Sequence, residues 1–105
     1  MIRVTLHVKG GLIRGFSCKG HALYAEAGRD IVCAAVSALT TTCANALETV
    51  AGTQPEVKVQ DGEMRLSLPH PEARDAQVIL LTLRQGLQDI AEAYPDHIKL
   101  TERSV

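Results

Sequence analysis

The fold is set by the stretch IRVTLHVKGGLIRGFSCK, residues 2–19, in which two eight-residue segments flank a Gly-Gly pair. Every second residue of the first segment is apolar: Ile2, Val4, Leu6 and Val8. This alternation predicts a strand with one buried face. Gly10-Gly11 predicts a hairpin turn, because both positions tolerate positive φ. Residues 12–19 are therefore the returning strand, and Gly15 marks a candidate β-bulge within it.

A long helix is predicted after this hairpin. Asp30 is a candidate N-cap, since its carboxylate can accept hydrogen bonds from the free amides of a first helical turn. The run at 31–51 is rich in Ala and other apolar residues, and Gly52 follows it, where glycine favours the reversal at a helix end. We expect this helix to be central and largely buried.

The second half of the chain shows the same order of hairpin and helix without repeating the sequence. An Asp-Gly turn at 61–62 joins predicted strands at 55–60 and 63–68. Three- and four-residue spacing of apolar groups predicts a second helix over 72–94. Its stripe consists of Ala76, Ile79, Leu80, Leu83, Leu87, Ile90 and Ala91. A last short strand is predicted at 97–101, after Pro95 has ended the helix.

The predicted order is ββαββαβ. Because strands and helices do not alternate strictly, the pattern indicates an α+β fold. We expect two layers, a mostly antiparallel sheet with two helices packed on one face. The chain of 105 residues is long enough for one modest core, so residues 1–105 are predicted to form a single domain.

Composition and charge argue against several function classes. Eleven basic and twelve acidic residues give a net charge of −1, and without a basic run no direct nucleic-acid partner is expected. No apolar stretch approaches the roughly 20 residues that a membrane span needs, so no membrane partner is expected either. The first residues enter a strand pattern without the apolar core of a signal peptide. We therefore expect a cytoplasmic protein.

The segment GHALYAEAGRDIVCAAVS, residues 20–37, carries the candidate chemistry. With Asp30 as N-cap, Cys33 is the third residue of the helix, where the positive end of the helix dipole favours thiolate over thiol. His21 lies twelve residues earlier, on a loop that can fold back toward the sulfur. A neutral imidazole can take the thiol proton, and an imidazolium can protonate a leaving amine. The first helical amides, including that of Cys33, are candidate oxyanion donors.

Other residues of this segment have both structural and functional interpretations. Asp30 is either the helix cap alone or a third residue that orients His21. Ser37 lies one turn beyond Cys33 on the same helix face and is a candidate supporting residue. Gly20, Tyr24 and Glu26 are candidate substrate contacts.

Zinc binding is the alternative interpretation of the cysteines. Cys18, His21 and Cys33 imitate the spacing of zinc ligands. Cys43 is ten residues beyond Cys33 in the same predicted helix, about 15 Å along its axis, so it cannot share an ion with Cys33. Three protein ligands are too few for a structural zinc site. Neither a metal nor another cofactor is therefore expected, and Cys18 and Cys43 are interpreted as packing residues.

The motif GHA at 20–22, followed by G-x-DIVCAAVS at 28–37 and NAL at 45–47, resembles the ribosomal-processing cysteine protease family, called Prp. The resemblance covers essentially the whole chain. Leu23 and Ala27 depart from the residue types that are commonest in the family. These departures bear on the motion and specificity of the loop, and they leave the two reacting residues unchanged.

The resemblance implies a function in ribosome maturation. Members of the family remove a short N-terminal extension from a large-subunit ribosomal protein, number twenty-seven in the standard naming. The family's catalytic pair corresponds to His21 as base and Cys33 as nucleophile. The resemblance also implies a homodimer and a mobile loop that carries the histidine. The alternative is a non-enzymatic, ribosome-associated module that binds a peptide without cleaving it.

Overall fold

The computed structural model describes residues 1–26 and 28–105. Ala27, one of the two departures noted above, lies outside the described residues. The elements within the described part of the chain follow the order ββαββαβ, as predicted. They are β1 (Ile2–Lys9), β2 (Leu12–Lys19), α1 (Ile31–Thr49), β3 (Glu56–Gln60), β4 (Glu63–Ser67), α2 (Arg74–Ala93) and β5 (Ile98–Ser104).

The strands of the described residues form one mixed sheet in the order β3-β4-β2-β1-β5. Neighbouring strands are antiparallel except for β1 and β5, which are parallel. The prediction of an α+β fold with a mostly antiparallel sheet and two helices is confirmed. Because β2 runs opposite to β1 and β5, the start of β1, the end of β2 and the start of β5 meet at one end of the sheet. The candidate site lies at that end.

The irregularity in the first hairpin lies beside Gly15 and not on it. The pairing passes from His7 opposite Gly15 to Val8 opposite Ile13, so Arg14 is the extra residue of the bulge. Gly15 has a different reason to be glycine. A Cβ there would collide with the carbonyl oxygen of Leu66 in the adjacent strand β4.

The core lies between the sheet and the helices. Its largest fully buried side chains include Phe16, Leu6, Leu47, Leu80 and Leu87. The helices approach closely at Gly86, where a Cβ would lie 2.5 Å from Leu39 Cδ2. This contact explains a glycine inside α2, which otherwise costs helix stability.

The expectation that α1 is largely buried is wrong. One stripe of α1 faces the core, and it consists of Val32, Val36, Thr40, Cys43, Ala44 and Leu47. The opposite side is open to solvent, and Ile31 at the start of the helix is 55% exposed. A helix packed on one side of a sheet buries only one stripe of its surface. The apolar composition of α1 therefore led to an expectation of more burial than the structure shows.

The apolar character of α1 is also greater than expected. By length and composition alone it could cross a membrane, with a mean hydropathy of 1.4 over its most apolar stretch. One third of that stretch, 33%, is buried inside the protein. A core helix of a soluble protein meets the same criterion, so this finding is weak evidence for a membrane segment.

Candidate active site

Cys33 lies in the first turn of α1, and the side chain of Asp30 caps that turn. Asp30 Oδ1 accepts hydrogen bonds from the amides of Val32 and Cys33, each at 3.0 Å. The start of the helix lies near the end of β2, since Cys33 lines the same groove as Cys18 and Gly20. Cys33 is half-buried there, so its sulfur is held by packing but remains accessible.

The cap changes one expectation about the oxyanion. The amide of Cys33 already donates to Asp30 Oδ1, and the amide of Val32 donates to the same oxygen. An amide engaged by its own N-cap carboxylate is not free to bind a developing oxyanion. In this structure the amide of Cys33 is therefore occupied by the helix cap.

Asp30 also holds the loop that precedes the helix. Its second oxygen, Oδ2, accepts a hydrogen bond from Tyr24 N at 3.0 Å. The pKa of Asp30 is lowered, chiefly by the amide of Cys33 and further by the amides of Tyr24 and Ala25. Among the described contacts, none joins Asp30 to His21. Asp30 thus acts as helix cap and loop tether in this structure.

Ala22 connects the loop to the sulfur, and sequence reasoning missed it. Ala22 is 1% exposed, and its amide donates to Cys33 Sγ at 3.3 Å. Its carbonyl oxygen lies 2.9 Å from His97 Nδ1. The buried Ala22 therefore holds the loop directly after His21, through its amide on Cys33 and through its carbonyl oxygen on His97.

His21 is exposed and faces the turn between β3 and β4. A Cβ built on Gly62 would lie 3.4 Å from His21 Nε2, and Gly20 N donates to Gly62 O at 2.9 Å. Gly20 has a φ of +95°, and a Cβ there would lie 2.5 Å from the carbonyl oxygen of Met1, so glycine is needed where the loop leaves β2. Among the described hydrogen bonds, none joins His21 to Cys33.

Two surface grooves meet at His21, Cys33 and Ser37. The first groove has a volume of about 680 Å³ and runs between α1 and the β3–β4 hairpin. The second has a volume of about 590 Å³ and runs along the loop at the start of α1. All three residues line both grooves. The sulfur is therefore placed where an extended chain could pass from one groove into the other.

The remaining predicted residues divide into two groups. Gly20 lines the first groove, whereas neither Tyr24 nor Glu26 is among the described residues that line the two grooves. The ring of Tyr24 instead packs edge-on against Tyr94 and His97. Glu26 is exposed and accepts a backbone hydrogen bond from Arg29 N at its carbonyl oxygen.

The other cysteines differ from Cys33 in their surroundings. Cys18 also lines the first groove, and burial, with a smaller effect of Cys33, raises the pKa of its thiol. Burial raises the pKa of the Cys43 thiol as well. Within residues 1–26 and 28–105, no group of three or more His, Cys, Asp and Glu side chains is arranged to hold a metal ion.

Comparisons with known proteins show which family the chain resembles. A family model described as cysteine protease Prp matches residues 1–99. The ribosomal processing cysteine protease Prp of Bacillus subtilis is 34% identical over 110 residues, which cover 96% of each chain. The protein of the same name from Mycoplasma genitalium is 37% identical over 92 residues, covering 82% of this chain and 85% of its own.

Two solved structures of the ribosomal processing protease Prp from Staphylococcus aureus are similar over the whole fold. One is in complex with a covalently linked product peptide, and it matches with a TM-score of 0.95 at 32% identity, covering 98% of this chain and 100% of that chain. The other is in complex with a substrate peptide, and it matches with a TM-score of 0.89 at 31% identity over 98% and 100% of the two chains.

Proposed function

The chain belongs to the cysteine protease Prp family, and we propose that it removes the N-terminal extension of a large-subunit ribosomal protein, number twenty-seven. Membership of the family makes it a ribosomal processing cysteine protease and disfavours the non-enzymatic peptide-binding module. The observation that carries the proposal is the position of Cys33 Sγ, at a capped helix N-terminus where two grooves meet.

Cys33 is the proposed nucleophile. The helix N-terminus and the amide of Ala22, 3.3 Å from Sγ, both favour negative charge on the sulfur. The thiolate attacks the scissile carbonyl carbon and forms the C–S bond. The oxyanion forms on the carbon atom that is bonded to Sγ, and therefore close to the amide of Ala22. Because Cys33 N already donates to Asp30, we assign Ala22 N as the backbone donor to the oxyanion.

His21 is the proposed base and acid. Its imidazole takes the thiol proton and then gives it to the leaving amine as the C–N bond breaks. Water, deprotonated by the same imidazole, hydrolyses the thioester and restores the thiol. Because His21 is exposed and lies beside Gly62 in this structure, the mechanism requires its side chain to turn toward Sγ when substrate binds.

The two grooves support an extended peptide as substrate. The first groove is lined on one side by Val57 and Val59 of β3, which are 41% and 73% exposed. The second groove is lined by Leu23, which is 76% exposed. These exposed apolar groups can bury area against a peptide on both sides of the scissile bond.

Incubation with the extended ribosomal precursor, with mass spectrometry of the products, tests this function. We expect wild type to release the extension, and Cys33→Ala and His21→Ala to lose at least about 10³-fold in rate, as removal of a nucleophile or its base does in other proteases. Cys18→Ser and Cys43→Ser are the matched controls and are expected to cleave. Cleavage by Cys33→Ala at the wild-type rate would disprove the mechanism.

Alkylation of the thiols provides a second readout that needs no substrate. Burial raises the pKa of Cys18 and Cys43, so little of either thiolate is present at neutral pH, and we expect iodoacetamide to label both slowly. Cys33, which lies where the two grooves meet, is expected to be labelled first. Three equally slow thiols would contradict an activated Cys33.

The assembly and the location are also proposals. We propose a homodimer in the cytoplasm, where ribosomes are assembled, on the basis of the family resemblance. Size-exclusion chromatography with light scattering is expected to give twice the chain mass of 11.3 kDa, and a monomeric mass at all concentrations would exclude the dimer.

A further inference from the structure

His97 is tied to the active-site loop, although it is 75 residues away from Ala22 in the chain. It is half-buried in the turn between α2 and β5. Its Nδ1 lies 2.9 Å from the carbonyl oxygen of Ala22. A carbonyl oxygen only accepts hydrogen bonds, so Nδ1 carries the proton and donates. Both the neutral Nδ1–H form and the imidazolium provide this donor.

The ring of His97 makes a second contact with the loop. It packs edge-on against Tyr24, with ring centroids 5.2 Å apart and an interplanar angle of 79°. Tyr24 in turn packs edge-on against Tyr94 with centroids 5.5 Å apart. Edge-on packing of this kind is favourable beyond simple burial. The turn after α2 therefore holds the loop through one hydrogen bond and one aromatic cluster.

The residue that His97 holds is itself in contact with the nucleophile. Ala22 N donates to Cys33 Sγ, and Ala22 directly follows His21. We propose that His97 is a positioning residue, which keeps the His21 loop in register with Cys33. This inference rests on the proposed function. Among the described side-chain contacts of His97, none reaches the sulfur, and His97 is not among the described residues that line the two grooves.

The position of the parallel strand β5 explains why His97 reaches the loop. Ile98 pairs with Ile2 at the start of β1, and Ile2 N donates to His97 O at 2.9 Å. Gly20, at the end of β2, packs on the carbonyl of Met1. His97 is thus fixed by backbone bonds to the same end of the sheet from which the loop departs.

Two substitutions that differ by one methylene group test the donor. The side-chain nitrogen of Asn follows Cγ, as Nδ1 does in His, whereas the nitrogen of Gln lies one bond further out. His97→Asn keeps a donor near Ala22 O and is expected to retain kcat within about threefold of wild type. His97→Gln is expected to lower kcat about 10-fold, the effect of one lost hydrogen bond. KM, which the grooves determine, is expected to change less.

A comparison of leaving groups separates positioning from general loss of structure. A peptide ester of nitrophenol needs no proton from His21 when its leaving group departs, whereas the matching peptide amide does. In the acylation step, measured by single-turnover kinetics, we expect the defect of His97→Gln to be larger on the amide than on the ester, because both substrates need His21 as base and only the amide needs it as acid. Equal kcat values for His97→Asn and His97→Gln, or equal acylation defects on ester and amide, would overturn the proposal.

The conformation of the loop can also be measured without any cleavage assay. A failure of the proposed function can therefore be distinguished from a failure of the positioning role of His97. Tyr24 and Tyr94 are the two tyrosines of a chain that lacks tryptophan, so near-ultraviolet circular dichroism reports largely on this cluster. We expect His97→Gln to weaken the tyrosine signal and to speed amide hydrogen exchange at residues 22–25, relative to His97→Asn. Identical spectra and exchange rates for the two variants would also overturn the proposal.

Discussion

Asp30 is a single carboxylate that performs two tasks with its two oxygens. Oδ1 caps α1 through Val32 N and Cys33 N, and Oδ2 holds the loop through Tyr24 N. Sequence reasoning predicted the cap from residue type alone, because Asp before an apolar run is a strong local signal. It could not predict the bond to Tyr24, which depends on how the loop folds back.

Asparagine at position 30 separates the two tasks. Its carbonyl oxygen can still cap the helix, but its amide group would face the donor Tyr24 N. We expect Asp30→Asn to keep a melting temperature near wild type and to lose about 3–10-fold in cleavage rate, the effect of one lost hydrogen bond. Asp30→Ala is expected to lower both quantities. Thermal unfolding and precursor cleavage measure the two effects.

Asp30 is also expected to make the free energy of unfolding depend on pH. Because the pKa of Asp30 is lowered in the folded protein, its charge adds stability above the unfolded pKa of about 3.9. That contribution is lost as the pH falls through the lower folded value. The stability difference between wild type and Asp30→Ala is therefore expected to shrink below about pH 4. A difference that stays constant down to the acid transition would contradict this assignment.

At the scale of elements, local sequence patterns predicted where strands and helices lie in the chain better than they predicted which strands pair with each other. The bounds of β1 and β2 match the prediction, because alternation and the Gly-Gly turn are local signals. β5 was predicted to end at Thr101 but continues to Ser104, where it pairs with Val8 of β1. Parallel pairing of the first and last strands is non-local and leaves no pattern in the sequence. For the same reason His97 was not assigned to the site.

The edge strand β3 provides the prediction at this scale. Val59 is 73% exposed and lines the first groove, where a bound peptide is expected to cover it. Val59→Thr keeps the shape and the β-branch while adding a hydroxyl group. We expect KM for the peptide to rise about fivefold, consistent with losing roughly 1 kcal/mol of apolar burial, with kcat nearly unchanged.

A second exposed valine serves as the matched control for Val59. Val78 lies on α2, is 52% exposed and is not among the residues that line the described grooves. Val78→Thr is expected to leave KM unchanged. Steady-state kinetics on the peptide substrate compare the two variants, and equal KM values would show that β3 does not contact the peptide.

At the scale of the whole molecule, one core supports every part of the site. Phe16 is the single phenylalanine and is 0% exposed. It lies in β2 between Leu6 of β1 and Leu66 of β4. The loop starts only four residues after it, so the core and the site share the same strand. A chain of this size has a small total stability, about 5–15 kcal/mol.

Substitution of Phe16 should therefore lower the stability of the protein, whereas substitution of Cys33 should abolish its activity. Phe16→Ala is expected to cost about 3–5 kcal/mol, because it leaves a cavity in the core, whereas Phe16→Leu should cost less. Loss of activity in Phe16→Ala should follow the unfolded fraction and recover at lower urea or temperature. Cys33→Ala should unfold at nearly the wild-type urea midpoint while cleaving nothing. Urea denaturation and cleavage of the same samples compare them, and a large drop in stability for Cys33→Ala would mean that the thiol serves the fold as well as the reaction.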